Sequence, residues 1–406
     1  HPKEISALLA TFKYVVIGSS AAGLAAIKKI RQLDPVGSLY CVSDEKELPY
    51  NKCFLADLIS RYKTDQEVYT ATESFFKEHN VTFLSSTRIV SIDSRARLLT
   101  THDNRVIGYE KLLLAVGGRA RVLPGAQGIH GCFSFYTLSD AYALDTYLSE
   151  KRPQHAVVIG AGLTGLELAD SLAARGMQVT VLEGASRILQ RQTDQKTADL
   201  ISKTALSKKV VIKVDTAVTS FKKDIEGTIL AVECSDGLVL NTQLVVLALG
   251  SEAQLELAHT ANLACKNGAV VTSSTLQTSD SHIWAAGDVA LVKHARTGQE
   301  LRTMMWPDAV QQGMYAGMAM AGQPKAYFGV VPFSTSQFFG KAFVSGGMLE
   351  PETNQDLVLV QEDAESYEKL VLSPDQIVKG FVLYAADAQR GVKYKRSLAQ
   401  QVPLSD

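Results

Sequence analysis

Two hexapeptides have the residue types and spacing to hold phosphate. Gly18-Ser19-Ser20-Ala21-Ala22-Gly23 and Gly160-Ala161-Gly162-Leu163-Thr164-Gly165 each follow an apolar, β-branched run and each open a stretch with helical periodicity. In a strand-turn-helix of this type the first glycine permits the tight turn. The second position brings the backbone close to a pyrophosphate, and the third lets helix and strand pack. The phosphates then rest on the helix amino terminus, where unpaired N–H groups and the dipole favour negative charge. Gly160, Gly162 and Gly165 match all three positions, whereas at the first turn Ser20 takes the middle one and Ala22 sits beside the closing Gly23. The chemistry implied is the binding of two dinucleotides. An acidic residue at the end of the next strand can accept hydrogen bonds from ribose hydroxyls. Asp44, with Glu45 beside it, follows the strand Leu39 to Val42, and Glu183 follows Val179 to Leu182. A carboxylate at Glu183 accepts a free 2′-hydroxyl and repels a 2′-phosphate, so NADH is expected in preference to NADPH. Arg187, four residues on, reads equally as a phosphate contact that softens this preference or as a solvated arginine at a helix start.

These residues need particular elements to position them. The pattern predicts a strand at Tyr14 to Ile17 with a helix from Leu24 to Leu33, and a second pair at Ala156 to Ile159 and Leu166 to Ala174. Ile283-Trp284-Ala285-Ala286-Gly287-Asp288 reads as a buried strand ending in Gly-Asp, followed by a helix from about Asp308 to Ala321. Beyond Gly322 the pattern changes to short strands at Leu357 to Gln361, Lys369 to Leu372 and Lys379 to Tyr384, separated by Pro, Asp and Gly. The fold class is therefore α/β, with two Rossmann-like nucleotide-binding domains and a small C-terminal α+β domain.

Composition excludes several alternatives. A chain of 406 residues accommodates two or three domains, and Lys+Arg (41) nearly cancel Asp+Glu (42). That balance gives no general electrostatic footprint for nucleic acid or anionic lipid. No apolar run approaches the roughly 18 residues needed to span a bilayer, so a soluble protein with no membrane association is expected. Cys41, Cys53, Cys132, Cys234 and Cys265 form no Cys-x-x-Cys pair, which fits a reducing compartment. His1 to Phe12 lack a basic start and an apolar core, so a cytoplasmic location is expected. The eight histidines show no metal spacing.

With these pieces in order, the chain resembles the pyridine nucleotide-disulfide oxidoreductase superfamily over roughly residues 13 to 325. The resemblance rests on Gly18 to Gly23, Tyr109-Glu110-Lys111-Leu112-Leu113-Leu114-Ala115-Val116-Gly117-Gly118, Gly160 to Ala169 with Glu167, and Ile283 to Asp288. It implies an FAD domain at 1–122 and 251–325, split by an inserted NAD domain at 123–250, with the C-terminal α+β domain at 326–406. It places Asp288, after Gly287, on the ribityl hydroxyls of FAD, and Ala115 and Gly117 at the same cofactor. Trp306-Pro307-Asp308-Ala309-Val310-Gln311-Gln312-Gly313 is similar to the family's helix that aims its amino terminus at the flavin pyrimidine ring. Such a helix end stabilises negative charge on a reduced flavin.

The subfamily is indicated by Leu48-Pro49-Tyr50-Asn51-Lys52-Cys53-Phe54-Leu55. This stretch is similar to the Pro-Tyr-x-Arg-x-x-Leu-Ser segment of rubredoxin, ferredoxin and nitrite reductase flavoproteins and of apoptosis-inducing factor. In those proteins the Arg lies by the flavin, and Lys52 stands in its place. Tyr367 to Leu372 and Gly380 to Leu383 resemble the small domain of the same branch. Two positions depart from it. Where the family has a Lys paired with the Glu of the NAD helix, this chain has Asp57, facing Glu167. Two carboxylates cannot pair unless one is protonated or Lys52 intervenes. Cys53 is the second departure: it reads as a small core residue or as a lone redox thiol.

The function the resemblance implies is transfer of electrons from NADH through FAD to a small electron-carrier protein of rubredoxin or ferredoxin type, with Lys52 and Glu167 nearest the hydride transfer. One alternative is an NADH-dependent coenzyme A disulfide, peroxide or oxygen reductase working through Cys53. Another is a redox-sensing regulatory flavoprotein. No iron-sulfur, haem or molybdenum ligation pattern is present, so nitrite reduction by this chain alone is not expected. The sequence leaves the acceptor and the oligomeric state open, a homodimer included.

Overall fold

The computed structural model describes residues 8–404, so the reading of His1 to Phe12 lies partly outside the described residues. The elements that matter for the site begin with β1 (Leu8–Ile17), α1 (Ala21–Leu33), β2 (Leu39–Val42) and α2 (Leu55–Ser60). They continue with β3 (His155–Ile159), α3 (Leu163–Ala174) and β4 (Gln178–Leu182). The last are β5 (Ile283–Ala285), α4 (Trp306–Met320) and β6 (Phe333–Phe338). The chain divides into two compact units. Among the described residues, one comprises 8–53, 65–119 and 251–330, and the other 54–64, 120–250 and 331–404.

The first unit is built on a sheet in which Val81–Leu84, β2, β1 and Val106–Leu114 run parallel, with β5 added parallel to Val106–Leu114. Strands covered on both faces read as continuous apolar runs rather than as an alternation. Val15, Val16, Cys41 and Val42 are accordingly fully buried, so Cys41 is a core residue. α1 turns Ala22, Ala26, Ile27 and Ile30 inward and packs on α4. The two helix backbones come so close that a side chain on Gly313 would lie 2.0 Å from the Ala22 carbonyl. β1 begins six residues before the expected Tyr14, because Leu8 to Phe12 extend its ladder against Val106 to Tyr109. Lys13 and Thr11 break the apolar run there and hide that extension in the sequence.

In the second unit Val210–Lys213, β4, β3, Leu244–Leu247 and Cys132–Ser134 form a parallel sheet. The C-terminal part is a five-stranded antiparallel sheet, ordered β6, Lys341–Gly347, Val378–Tyr384, Tyr367–Leu372 and Leu357–Glu362, with the helix Ala388–Gln400 packed on it. Three of those strands are expected from the sequence. β6 is not, since Phe-Ser-Thr-Ser-Gln-Phe carries apolar side chains only at its ends. The helix, for which the sequence reading offers no expectation, is rich in charged residues and buries Gly391, Tyr394, Ser397 and Leu398 on one face. Among the described residues no helix is long and apolar enough to cross a membrane.

Candidate functional site

In the second unit the turn after β3 has the form its glycines predict. Gly160 has φ +108°, and a side chain on Gly165 would lie 2.0 Å from the Gly160 carbonyl, so helix and turn can meet only if position 165 is bare. A Cβ on Gly162 would meet nothing within 4 Å, which leaves open space where a phosphate has to approach. Glu183, just past β4, accepts from the backbone N–H of Ala161 (2.8 Å) and of Ala185 (2.9 Å). The carboxylate is thereby fixed beside the turn, and each oxygen retains a lone pair for a ribose hydroxyl. Arg187 lies in irregular chain rather than at a helix start, and one of its guanidinium nitrogens donates to the Gln190 carbonyl (3.1 Å). Its Nε is buried without a partner.

The first unit repeats the geometry at Gly18 (φ +105°), where a side chain would lie 2.2 Å from the Ala115 carbonyl. Gly18, Ala22, Ala115 and Gly287 come together here. Ala115 donates its N–H to the Ile17 carbonyl (2.8 Å), and a side chain on Gly287 would lie 3.3 Å from the Ala22 methyl. Gly117 has a positive φ, and its carbonyl accepts from the Gln254 N–H (3.1 Å). Gly287 donates its N–H to the side chain of Gln312 (2.8 Å), a fully buried residue of α4 whose amide nitrogen is 3.4 Å from Thr303 Oγ1. Gln312 thus ties the Gly287-Asp288 turn to α4, and the Asp288 carbonyl faces Arg302 (3.5 Å). The sequence reading gave Gln312 no role, because no local pattern links it to a turn 25 residues away.

Helix ends supply an independent test of fit for dinucleotides. Among described helices of twelve residues or more, Leu138–Lys151, Gln195–Ser207 and Ala388–Gln400 begin with a side chain of Thr137, Asp194 or Asp387 capping the first turn. α1, α3 and α4 have no side-chain cap: they start at Ser20, Gly162 and Met305 with first-turn amides left for another acceptor. Pro307 in the first turn of α4 has no N–H to satisfy. Trp306 heads that helix, half-buried against the core of the first unit.

The segment after β2 holds the remaining candidates of this unit. Tyr50 donates its hydroxyl to Glu45 Oε2 (2.7 Å), and Lys52 Nζ lies 3.9 Å from Glu45 Oε1. Asp44 is exposed, 3.8 Å from Arg88 Nε. Lys52 and Cys53 stand on a short 3-10 turn, Lys52–Phe54. Cys53 is exposed, which corrects its reading as a core residue: a turn held by the Cys53 N–H bond to Asn51 (3.0 Å) leaves the side chain outside the packed sheet.

Glu167, on α3, is half-buried in the second unit and accepts a hydrogen bond from Ser336 of β6 (2.6 Å). Burial pushes its carboxyl up to about 7; the Ser336 hydroxyl pulls it down, and the charge of Asp57 pushes it further up. Asp57 is itself raised by burial and lowered by Lys63. The expected meeting of two carboxyl groups is therefore present, and it is accommodated by a shift toward protonation. Ser336 is a residue the sequence does not indicate. Among the described residues no group of His, Cys, Asp or Glu is placed to hold a metal ion.

A strand-turn-helix in each unit, each entered through a positive-φ glycine and each leading into an uncapped helix, defines the class as a protein with two dinucleotide-binding units. The chain belongs to the pyridine nucleotide-disulphide oxidoreductase family, whose model matches residues 12–313. It is an FAD-dependent enzyme that uses a nicotinamide nucleotide. It is 29% identical to the epsilon subunit of NADH-dependent phenylglyoxylate dehydrogenase from Aromatoleum evansii, covering 91% of this chain and 87% of that one. It is 30% identical to rubredoxin-NAD(+) reductase from Pseudomonas putida over 76% of this chain and 80% of the other. Among solved structures, a ferredoxin reductase from Rhodopseudomonas palustris superposes with a TM-score of 0.87 at 26% identity, covering 97% of this chain and 96% of that one.

Proposed function

We propose that the chain passes electrons from NADH through FAD to a small electron-carrier protein of the rubredoxin or ferredoxin type. The observation that carries this reading is the likeness to a ferredoxin reductase over nearly the whole of both chains, C-terminal sheet included. When bound, FAD supplies the chemistry of accepting a hydride from NADH and releasing electrons to the acceptor. Gly18, Ser20, Ala22 and Gly23 hold its pyrophosphate on α1, Ala115 and Gly117 border it, and Asp288 takes the ribityl hydroxyls. Asp44, with Glu45 beside it, takes the adenosine ribose. Trp306 and the open amides of α4 stabilise negative charge at the pyrimidine end. Gly160, Gly162 and Gly165 hold the NADH pyrophosphate on α3, and Glu183 binds its ribose and disfavours a 2′-phosphate. Lys52 borders the flavin in the first unit, and Glu167 borders the nicotinamide in the second.

The exposed thiol of Cys53 supports a second reading, reduction of a coenzyme A disulfide, peroxide or oxygen through that sulfur. Turnover of the Cys53→Ser variant with NADH decides between them. An electron-carrier reductase keeps its rate with a ferredoxin or rubredoxin within about threefold. Abolished turnover on Cys53→Ser, with disulfide or peroxide as the wild-type's better acceptor, contradicts the first reading and supports the second. In a regulatory flavoprotein, saturating NADH would reduce the flavin only very slowly.

A further inference from the structure

We propose that Ser336 is a positioning residue for the nicotinamide step: from the C-terminal sheet it holds the Glu167 carboxyl in place and, against Asp57, sets whether that carboxyl is charged when the nucleotide binds. The inference rests on the reading above that Glu167 borders the nicotinamide.

The contact is part of a clamp on one helix. Ser336 Oγ donates to Glu167 Oε1 (2.6 Å), and three residues on in each segment the Phe339 N–H donates to Asp170 Oδ2 (2.7 Å). Residues three apart lie on one helix face, so the end of β6 and the turn after it grip α3 at two successive points. A third bond holds α2 to the same helix, Ser171 Oγ donating to the Ala56 carbonyl (2.8 Å), and Asp57 is the next residue. Glu167 therefore has a hydroxyl donor from one element and a carboxyl from another.

The groups facing it act in opposite directions. β6 brings no charge, only the Ser336 donor, which favours the ionised form. α2 brings Asp57, which favours the neutral form and is tempered by Lys63. Within α3 Asp170 is engaged by the Phe339 N–H, and on the neighbouring helix Leu138–Lys151 the carboxylate of Asp145 is bound by Arg175 (2.7 Å). Charge at Glu167 matters for the reaction. NADH that gave up its C4 hydride with both bonding electrons would be left with a cationic nicotinamide ring. A carboxylate beside it lowers the energy of that charge, and a neutral carboxyl does not.

The test is a carboxyl titration of the FAD-bound protein carrying 13C-labelled glutamate, with the Glu167 resonance assigned through Glu167→Gln. Ser336→Ala moves the midpoint upward and Asp57→Asn moves it downward, each by about half a unit to one unit, while Ser336→Thr leaves it near wild type. The acid limb of anaerobic flavin reduction by NADH, and of NAD+ affinity measured by calorimetry, moves in the same direction in each variant. A Ser336→Ala titration superimposed on wild type, or one that moves while both limbs stay fixed, overturns the inference. If wild-type flavin is not reduced at any pH, the functional reading fails by itself; the titration and the NAD+ affinity profile then still decide the role of Ser336.

Discussion

Glu167 shows how a single side chain departs from what its family leads one to expect. Asp57 faces it where the sequence resemblance implies a lysine, and burial together with that like charge lifts the carboxyl to about 7. The consequence for stability has a definite sign. Unfolded, the group ionises near 4.5; folded, it resists ionisation, so the stability present below pH 4.5 is lost as the pH rises through 7. Glu167→Gln removes that loss. The variant is expected to gain about 2 to 3 kcal/mol over wild type at pH 8 and almost nothing at pH 4.5, measured by urea denaturation with FAD bound. An equal effect at both pH values would contradict the assignment. The sequence reveals the clash, because Asp57 stands where a motif calls for a cation. It does not reveal Ser336, which lies 169 residues away in a polar strand with no motif of its own.

At the scale of elements, the strand-turn-helix units are legible because only bare positions satisfy them. Gly165 has no room for a side chain, and Gly18 sits at a φ that few residues adopt. The ends of these elements are less legible: α1 starts at Ala21 and α3 at Leu163, each three residues before the expected start. The first turns, Ala21-Ala22-Gly23 and Leu163-Thr164-Gly165, carry too few large apolar side chains to show a helical period. Gln312 makes a comparable contact across elements, joining α4 to the Gly287-Asp288 turn through a fully buried amide. Replacing it by Leu leaves the Gly287 N–H buried without an acceptor, a cost of about 1 to 3 kcal/mol. FAD affinity is expected to fall by roughly tenfold or more, read from the fluorescence of released flavin on dilution. Affinity within twofold of wild type would show that the turn holds its shape without this bond.

For the whole molecule, the α/β class, the two nucleotide units and a C-terminal α+β region are all readable from glycine spacing, strand periodicity and the Gly-Asp segment. The C-terminal region is only partly readable, since β6 and Lys341–Gly347 complete its sheet without an apolar alternation. What could not be read from sequence is how that sheet serves the nucleotide-binding fold of its own unit. Besides Ser336, Tyr367 donates its hydroxyl to Asp194 (2.8 Å) and Ser345 donates to the Gln192 carbonyl (2.6 Å). These are single hydrogen bonds between distant segments, and no local pattern announces them.

The central claim is that this chain takes a hydride from NADH onto FAD, with Glu183 selecting the nucleotide. Anaerobic stopped-flow mixing of the FAD-loaded protein with NADH or NADPH tests it directly, by following loss of flavin absorbance near 450 nm. Rapid bleaching by NADH is expected, at least roughly tenfold faster than by NADPH at equal subsaturating concentration, with the difference shrinking in Glu183→Ala. Absence of bleaching by either nucleotide, with FAD bound, would contradict the account at its root.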